Sequence, residues 1–347
     1  MQRLPLGRTD IVVSDWCLGT MTYGNQTPES DAHNQIDMAL DAGINFLDTA
    51  EAYPVNPIKA ETIGHSEEVI GNWIAKSGRR DDVVVATKVS GNNPGWVRGG
   101  KGFDGNNIRE TVEASLKRLQ TDVIDLYQLH WPDRGSYMFR QNWTFDPSGQ
   151  NRAQTLDHMM GVLTTLGALV AEGKIRAVGT SNESAWGMTK WVDLAESAGL
   201  PRMASVQNEY SLLCRLYDTD MAEMAVNEDV TLLSFSPLAC GLLSGKYQGG
   251  AVPADSRMSL NGDMGGRMTD RTLPVTQVYL DLAAKHGLDP MHMAMAWQRT
   301  RPFAVSAIFG ATTSDQLAHL LAGKDVTLSD DLCGEIDALH RAHPMPY

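Results

Sequence analysis

Residues 83–88, Val-Val-Val-Ala-Thr-Lys, and residues 124–130, Ile-Asp-Leu-Tyr-Gln-Leu-His, are short apolar runs that each end on a side chain able to do chemistry. Between them Ile108, Val112, Leu116 and Leu119 share one face of a helix. Strand, amphipathic helix, strand is the pattern of a parallel unit with a crossover helix. The pattern continues in both directions, through Trp16–Gly19, Ile44–Leu47, Ile175–Gly179, Ala204–Gln207, Thr231–Phe235 and Ala304–Phe309. Helical segments fall between these runs, such as the face made by Val69, Ile70, Trp73 and Ile74. Eight alternations favour an α/β fold of the (β/α)8 TIM-barrel type over a three-layer open sheet.

The boundary signals agree with this order. Asn107 and Glu110 have capping-box spacing before the Ile108–Leu119 helix, and Gly173 closes a helix over Leu156–Glu172. Ahead of the first barrel strand, Gly7-Arg8-Thr9-Asp10 between apolar residues predicts an N-terminal β-hairpin over Gln2–Val13. Two stretches exceed a minimal barrel: Arg134–Ala153 after strand 4, rich in aromatics, and the glycine-rich Gly245–Leu273 after strand 7. Such long loops are expected to wall a functional site. The chain, residues 1–347, reads as one barrel domain without internal repeats.

At 347 residues, with 42 % hydrophobic and 20 % charged residues, the composition is that of a globular protein with a full core. The net charge of -13, without a Lys/Arg run, argues against a nucleic-acid partner. Cys17, Cys214, Cys240 and Cys333 lack C-x-x-C spacing, and no signal peptide or apolar stretch long enough for a membrane span is evident. A cytoplasmic location is expected, with no membrane partner; the oligomeric state is left open.

In a parallel barrel the strand ends converge on one face, which is where such folds bind ligands. Asp48 and Tyr53 follow the second strand, Lys88 the third and His130 the fourth. A phenol beside an ammonium and an imidazole suits protonation of a carbonyl oxygen. Lys88 is expected to favour the phenolate and so lower the pKa of Tyr53, with Asp48 holding the ammonium in place. His130 offers a second hydrogen bond to the oxygen. Singly, each has an ordinary structural reading: Asp48 capping a turn, Tyr53 in the core, Lys88 on the surface. Asp48, Glu51, His65, Glu67 and His130 include groups able to bind metal, but no ligand motif stands out and His65-Ser66-Glu67 reads as a helix start. No metal is assigned.

Later strand ends carry a second set. Ser181, Asn182 and Gln207 could hydrogen-bond a carboxamide or cap loops, and Phe235 offers a flat face for stacking or for the core. Ser236-Pro237-Leu238 leads into Gly241-Leu242-Leu243-Ser244-Gly245-Lys246, where small residues and one cation have the physics of a phosphate cradle. Gly310-Ala311-Thr312-Thr313-Ser314 opens a helix with more donors for phosphate.

Taken together, Gly19-Thr20-Met21, Asp48-Thr49-Ala50-Glu51-Ala52-Tyr53, Ala86-Thr87-Lys88, His130-Trp131-Pro132, Gly179-Thr180-Ser181-Asn182, Gln207-Asn208-Glu209-Tyr210 and Ser236-Pro237-Leu238 resemble the aldo-keto reductases almost end to end. The long loop after His130-Trp131-Pro132 is most similar to the bacterial Tas-like branch. The resemblance implies a barrel binding NADP(H), with Tyr53 as general acid, Asp48 and Lys88 tuning it, and His130 orienting a small-molecule carbonyl substrate. It further implies that Gly19, Thr20, Met21, Asp48, Ser181, Asn182, Gln207, Phe235, Ser236, Pro237, Leu238, Gly241, Ser244, Lys246, Gly310, Thr312, Ser314 and Gln316 contact the cofactor.

Two departures fall at the adenosine end: Thr312 stands where many members carry a basic residue, and Leu320 where many carry Asn. NADP(H) stays favoured, with NAD(H) as the alternative and Arg257 as a cation that could compensate. The expected substrate wall is Tyr23, Trp96, Trp131 and Trp143 around Tyr53 and His130, with Tyr137, Phe139 and Phe145 adding aromatic surface. Two other functions are compatible with the sequence: a cofactor-sensing regulatory protein like the barrel subunits of potassium channels, and a metal-dependent barrel hydrolase.

Overall fold

The computed structural model describes residues 1–347. Its strands are β1 (Arg3–Pro5), β2 (Val12–Ser14), β3 (Trp16–Gly19), β4 (Phe46–Asp48), β5 (Val84–Val89), β6 (Ile124–Leu129), β7 (Ile175–Ser181), β8 (Met203–Glu209), β9 (Thr231–Phe235) and β10 (Val305–Phe309). The helices are α1 (Glu29–Asp41), α2 (His65–Ser77), α3 (Ile108–Leu119), α4 (Arg152–Ala171), α5 (Ala185–Ala198), α6 (Asp220–Asn227), α7 (Arg257–Leu260), α8 (Thr272–Lys285), α9 (Pro290–Gln298), α10 (Ser314–Ala322) and α11 (Asp330–Ala342). Strands β3 to β10 form a closed barrel in chain order, with β10 returning to β3 and every neighbour parallel. Strands β1 and β2 form the antiparallel N-terminal hairpin.

Alternation along each strand separates two cores. Leu47, Val85, Tyr127 and Val178 face the helices and join a cluster of 70 buried residues. Phe46, Val84, Ala86, Leu126, Ala177, Ala204, Leu233 and Ile308 form the barrel interior, and Leu6, Ile11 and Val13 of the hairpin belong to the same cluster. The hairpin therefore plugs the N-terminal end of the barrel. Gly7 makes this approach possible: its φ is +56°, and a Cβ there would lie 2.5 Å from the carbonyl oxygen of Ala204. With one end filled by apolar side chains, the inward positions nearer the other end are left for Asp48, Lys88 and Gln128.

Some boundaries differ from expectation. Helix α4 begins at Arg152, before Leu156, because Asn151 caps it by accepting from the Gln154 N–H; Gly173, at φ +74°, follows its end. The capping box at Asn107 does not form. Asn107 Oδ1 turns back to accept from the Asp104 N–H, while Asp104 Oδ1 accepts from the N–H groups of Asn106 and Asn107. Inside the Gly245–Leu273 stretch lies one helical turn, α7, capped by Ser256. No helix is long and apolar enough to cross a membrane, and all four cysteines are free.

Candidate active site

The second inward layer of the barrel is polar and connected. Lys88, fully buried, donates from Nζ to Asp48 Oδ2 at 2.7 Å, to the Thr49 carbonyl at 2.7 Å and to the Tyr53 hydroxyl at 3.4 Å. The remaining oxygen of Asp48, Oδ1, accepts from Gln128 Nε2 at 3.1 Å and Gln207 Nε2 at 2.8 Å. Strand register supplies these neighbours: Asp48 stands beside Ala86 two residues before Lys88, and Lys88 pairs with Gln128. A buried charge stripped of such partners costs several kcal/mol, on the order of 3–5, so the layer is held as a unit.

Burial opposes the Lys88 ammonium, but Asp48 and Tyr53 outweigh it and its pKa is raised. Tyr53 is also raised. Burial dominates there, and the opposing pull of Lys88 does not reverse it, contrary to the expectation from sequence. The phenol is consequently neutral and proton-bearing at physiological pH. His130 is held well below the ordinary imidazole value, first by burial and then by Lys88, so it is a neutral ring. That ring lies edge-on to Tyr53, centroids 5.8 Å apart, with Trp131 on another side at 4.6 Å.

Next to this floor, Ser181 Oγ donates to the Gln207 carbonyl and Asn182 Nδ2 to the His130 carbonyl. Asn182 Oδ1 is buried without a partner, an acceptor suited to the N–H2 of a carboxamide. Gln207 adds to the floor, its amide nitrogen serving Asp48 and Gln128. Phe235 ends β9 half-buried, keeping a ring face available.

Past Phe235, the backbone of Ser236, Ala239, Cys240 and Gly241 has positive φ. Turns of this kind aim successive amides at one point and bind anions. Three of these four carry side chains, so the turning is set by context more than by glycine. Ser244 Oγ donates to the Gly241 carbonyl, and a Cβ on Gly241 would crowd Lys246 at 3.2 Å. Lys246 has no carboxylate partner within ion-pair distance. An anionic, carboxamide-bearing dinucleotide fits these residues.

At α10 the Thr312 N–H and hydroxyl both donate to Gln316 Oε1, and Thr313 caps the helix. Ser314 donates to Asp31 of α1 and accepts from Asn34. A carboxylate rather than a cation therefore stands beside Ser314. Arg257 reaches Met21 Sδ at 3.7 Å and, with the Asn56 amide oriented oxygen toward it, an oxygen at 2.6 Å, close enough to act on the charge of Tyr53.

The expected substrate wall is partly corrected. Tyr23 is fully buried, with its hydroxyl 3.3 Å from Gln35 Oε1, and belongs to the helix-side core. Trp143 is 70 % exposed, and Trp96 is 39 % exposed. Trp131 is well placed, fixed by its indole N–H on the Asn92 carbonyl and followed by Phe139 at 6.1 Å. The carboxylates suggested as metal ligands are committed to cations: Asp48 to Lys88, Glu51 to Arg98, Glu67 to Arg118. This removes the donor set on which a hydrolase reading depended.

Sequence reasoning missed Glu209. It is buried and accepts from Arg140 Nη1 at 2.9 Å, from Arg267 Nε at 2.8 Å and from the Tyr347 hydroxyl at 3.3 Å. Arg140 comes from the loop after β6 and Arg267 from the loop after β9. Arg140 Nε also donates to the Gly265 carbonyl at 2.6 Å, so the two long loops are tied together. Phe139 and Arg140 have φ of +58° and +63°, a left-handed pair worth about 1–3 kcal/mol of strain each, which these bonds hold in place. The signals in the sequence were its place in Gln207-Asn208-Glu209-Tyr210 and two unassigned arginines in loops already marked as walls.

A (β/α)8 barrel with this Asp-Lys-Tyr-His floor and a turn of positive-φ residues after a later strand has the form of an oxidoreductase acting on carbonyls. The chain belongs to the aldo/keto reductase family, whose profile matches residues 16–341. It is 42 % identical to Protein tas of Escherichia coli over 100 % of this chain and 99 % of that protein. It is 30 % identical to a probable voltage-gated potassium channel subunit beta of Arabidopsis thaliana, over 94 % of this chain and 92 % of that one. An NADH-specific methylglyoxal reductase of Escherichia coli is 28 % identical, over 95 % of each chain.

Proposed function

We propose that this chain reduces aldehyde or ketone carbonyls to alcohols, reversibly, with Tyr53 as the proton donor. The observation that carries the reading is the Asp48–Lys88–Tyr53 hydrogen-bonded series, open at the phenol end beside a neutral His130. NADP(H) or NAD(H) supplies the hydride when bound. Asn182 holds the carboxamide, Phe235 gives a stacking face, and the Ser236–Gly241 turn with Ser244 and Lys246 takes the phosphates. Arg257, beside Met21, adds charge over the same groove.

Tyr53 begins as a neutral phenol because of its burial. As the proton leaves, Lys88, already 3.4 Å from the hydroxyl oxygen, stabilises the phenolate, and Asp48 keeps that ammonium from shifting. His130 orients the carbonyl as a neutral ring and contributes no charge. Trp131 and Phe139 form the apolar side of the substrate space, which suits a flat or apolar carbonyl compound.

Likeness to potassium channel beta subunits keeps a regulatory reading in view, in which cofactor binding is the main output. The deciding experiment follows nicotinamide absorbance with NADPH and NADH over a panel of aldehydes, ketones and sugars. Turnover with at least one apolar carbonyl is expected. Tight cofactor binding without turnover on any member of the panel would favour the regulatory reading.

A further inference from the structure

Away from the carbonyl site, α9 and α10 bring an aspartate and a histidine three residues apart together with a histidine 27 residues further on. We infer that Asp289, His292 and His319 form a binding site for a divalent transition-metal ion, with zinc as the reference ion, linking the start of α9 to the last turn of α10. One ligand atom from each residue lies within 4.8 Å of the other two. Asp289 Oδ2 and His319 Nε2 are 2.9 Å apart, and the two rings are 5.1 Å apart and tilted by 31°. Ligands of a tetrahedral zinc, at about 2.0–2.2 Å from the ion, stand roughly 3.3 Å from one another. The Asp289–His319 pair needs only a few tenths of an ångström to match it, and the His292 ligand atom, within 4.8 Å of both, has to draw closer.

The outer contacts point the same way. Ligating histidines commonly donate their other ring N–H to a carbonyl, which fixes the tautomer. His292 Nε2 is 2.7 Å from the His319 carbonyl oxygen, which can only accept, so its proton is on Nε2 and the lone pair on Nδ1. The free oxygen is fixed likewise: Asp289 Oδ1 accepts from the N–H groups of Met291 and His292 and leaves Oδ2 facing His319. On binding, the proton that His319 Nε2 now donates to Asp289 passes to solvent and Nδ1 takes one up, so the imidazole stays neutral and Nε2 is free for the ion. Two imidazoles and one carboxylate match zinc and its neighbours better than calcium or magnesium, which prefer oxygen.

Other histidine–carboxylate pairs have two members only, such as His33 with Glu29 and His286 with Glu335. These serve as internal controls. His292 and His319 sit 27 residues apart and share no motif spacing, so only the fold brings them together.

The test uses metal-free full-length protein, titrated with zinc in a chelator-competition assay and with cobalt(II) followed by absorbance. Asp289→Asn keeps a side chain that caps α9 equally well but loses the charged ligand, and His319→Gln removes an imidazole. Unfolding temperature and circular dichroism check that both variants are folded. One ion per chain is expected, with affinity falling at least about 10-fold in each variant. A zinc-induced rise in unfolding temperature should be present in the parent and absent in the variants. Cobalt spectra should show nitrogen and oxygen ligation without thiolate charge-transfer bands. Unchanged affinity in both folded variants, thiolate bands, or no binding at micromolar zinc would each overturn the assignment.

Discussion

At the floor of the site, Asp48 and Lys88 lie on adjacent strands and meet through barrel register, whereas above it Arg140 and Arg267 come from two long loops and meet at Glu209, with one direct bond from Arg140 to the Gly265 carbonyl. The floor is fixed by backbone pairing repeated around a closed sheet. The walls are fixed by one buried carboxylate, two guanidiniums and a phenol. Loss of a wall contact should therefore loosen substrate and loops while sparing chemistry, and loss of a floor contact should do the reverse.

The largest separation is expected from Lys88→Met. It leaves Asp48 buried beside two amides and no cation, so stability should fall by about 3–5 kcal/mol in denaturant unfolding. Turnover should fall about 10²–10⁴-fold. Near-normal turnover in folded Lys88→Met protein would remove the floor from the account.

Glu209→Gln should act on the walls instead. We expect KM for the carbonyl to rise several-fold with kcat changed little, and amide hydrogen exchange to quicken in both 134–151 and 245–273. If only one loop responds, the two are not joined through Glu209. Burial pushes this carboxyl up, but Arg267 and Arg140 more than offset that, and its pKa lies below the ordinary carboxylate value. Its stabilisation is thus complete above the unfolded carboxylate pKa, about 4.3, and is lost as pH falls through the lower folded value. Acid should open the loops in the parent, and Glu209→Gln should lack that transition.

The pH dependence of the rate sharpens the floor. Tyr53 must carry its proton to act, and burial raises its pKa, so the alkaline fall in turnover should come above about pH 10. His130 is depressed, so no inflection is expected near pH 6.5. A rate that changes severalfold between pH 6 and 7.5 would contradict the neutral ring.

The smallest effect concerns the cofactor. With Asp31 beside Ser314 and no arginine at Thr312, preference for NADPH over NADH should be modest, within about 10-fold, because a bidentate phosphate partner is missing. Thr312→Arg should shift the ratio of kcat/KM toward NADPH. No shift would place the 2′-phosphate elsewhere.

The same contrast explains what could be read in advance. The barrel strands, the hairpin and the four candidate floor residues follow from short apolar runs between amphipathic helices, a turn signal at Gly7–Asp10 and polar residues closing the runs, all local properties of the chain. Whether Tyr53 is raised or lowered depends on how dry the finished pocket is, which no spacing reveals. Tyr23, expected at the wall from a neighbouring loop, turns its ring into the helix-side core. Arg257, Arg140, Arg267 and Glu209 find their partners across scores of residues through loops whose paths only packing determines.

The central claim is most directly tested by Tyr53→Phe, with cofactor affinity measured by fluorescence alongside steady-state turnover. The ring and its packing are kept, and only the hydroxyl facing Lys88 is lost. Nearly unchanged cofactor affinity with turnover reduced at least about 100-fold is predicted. Parental turnover in this variant would show that the proton comes from another group.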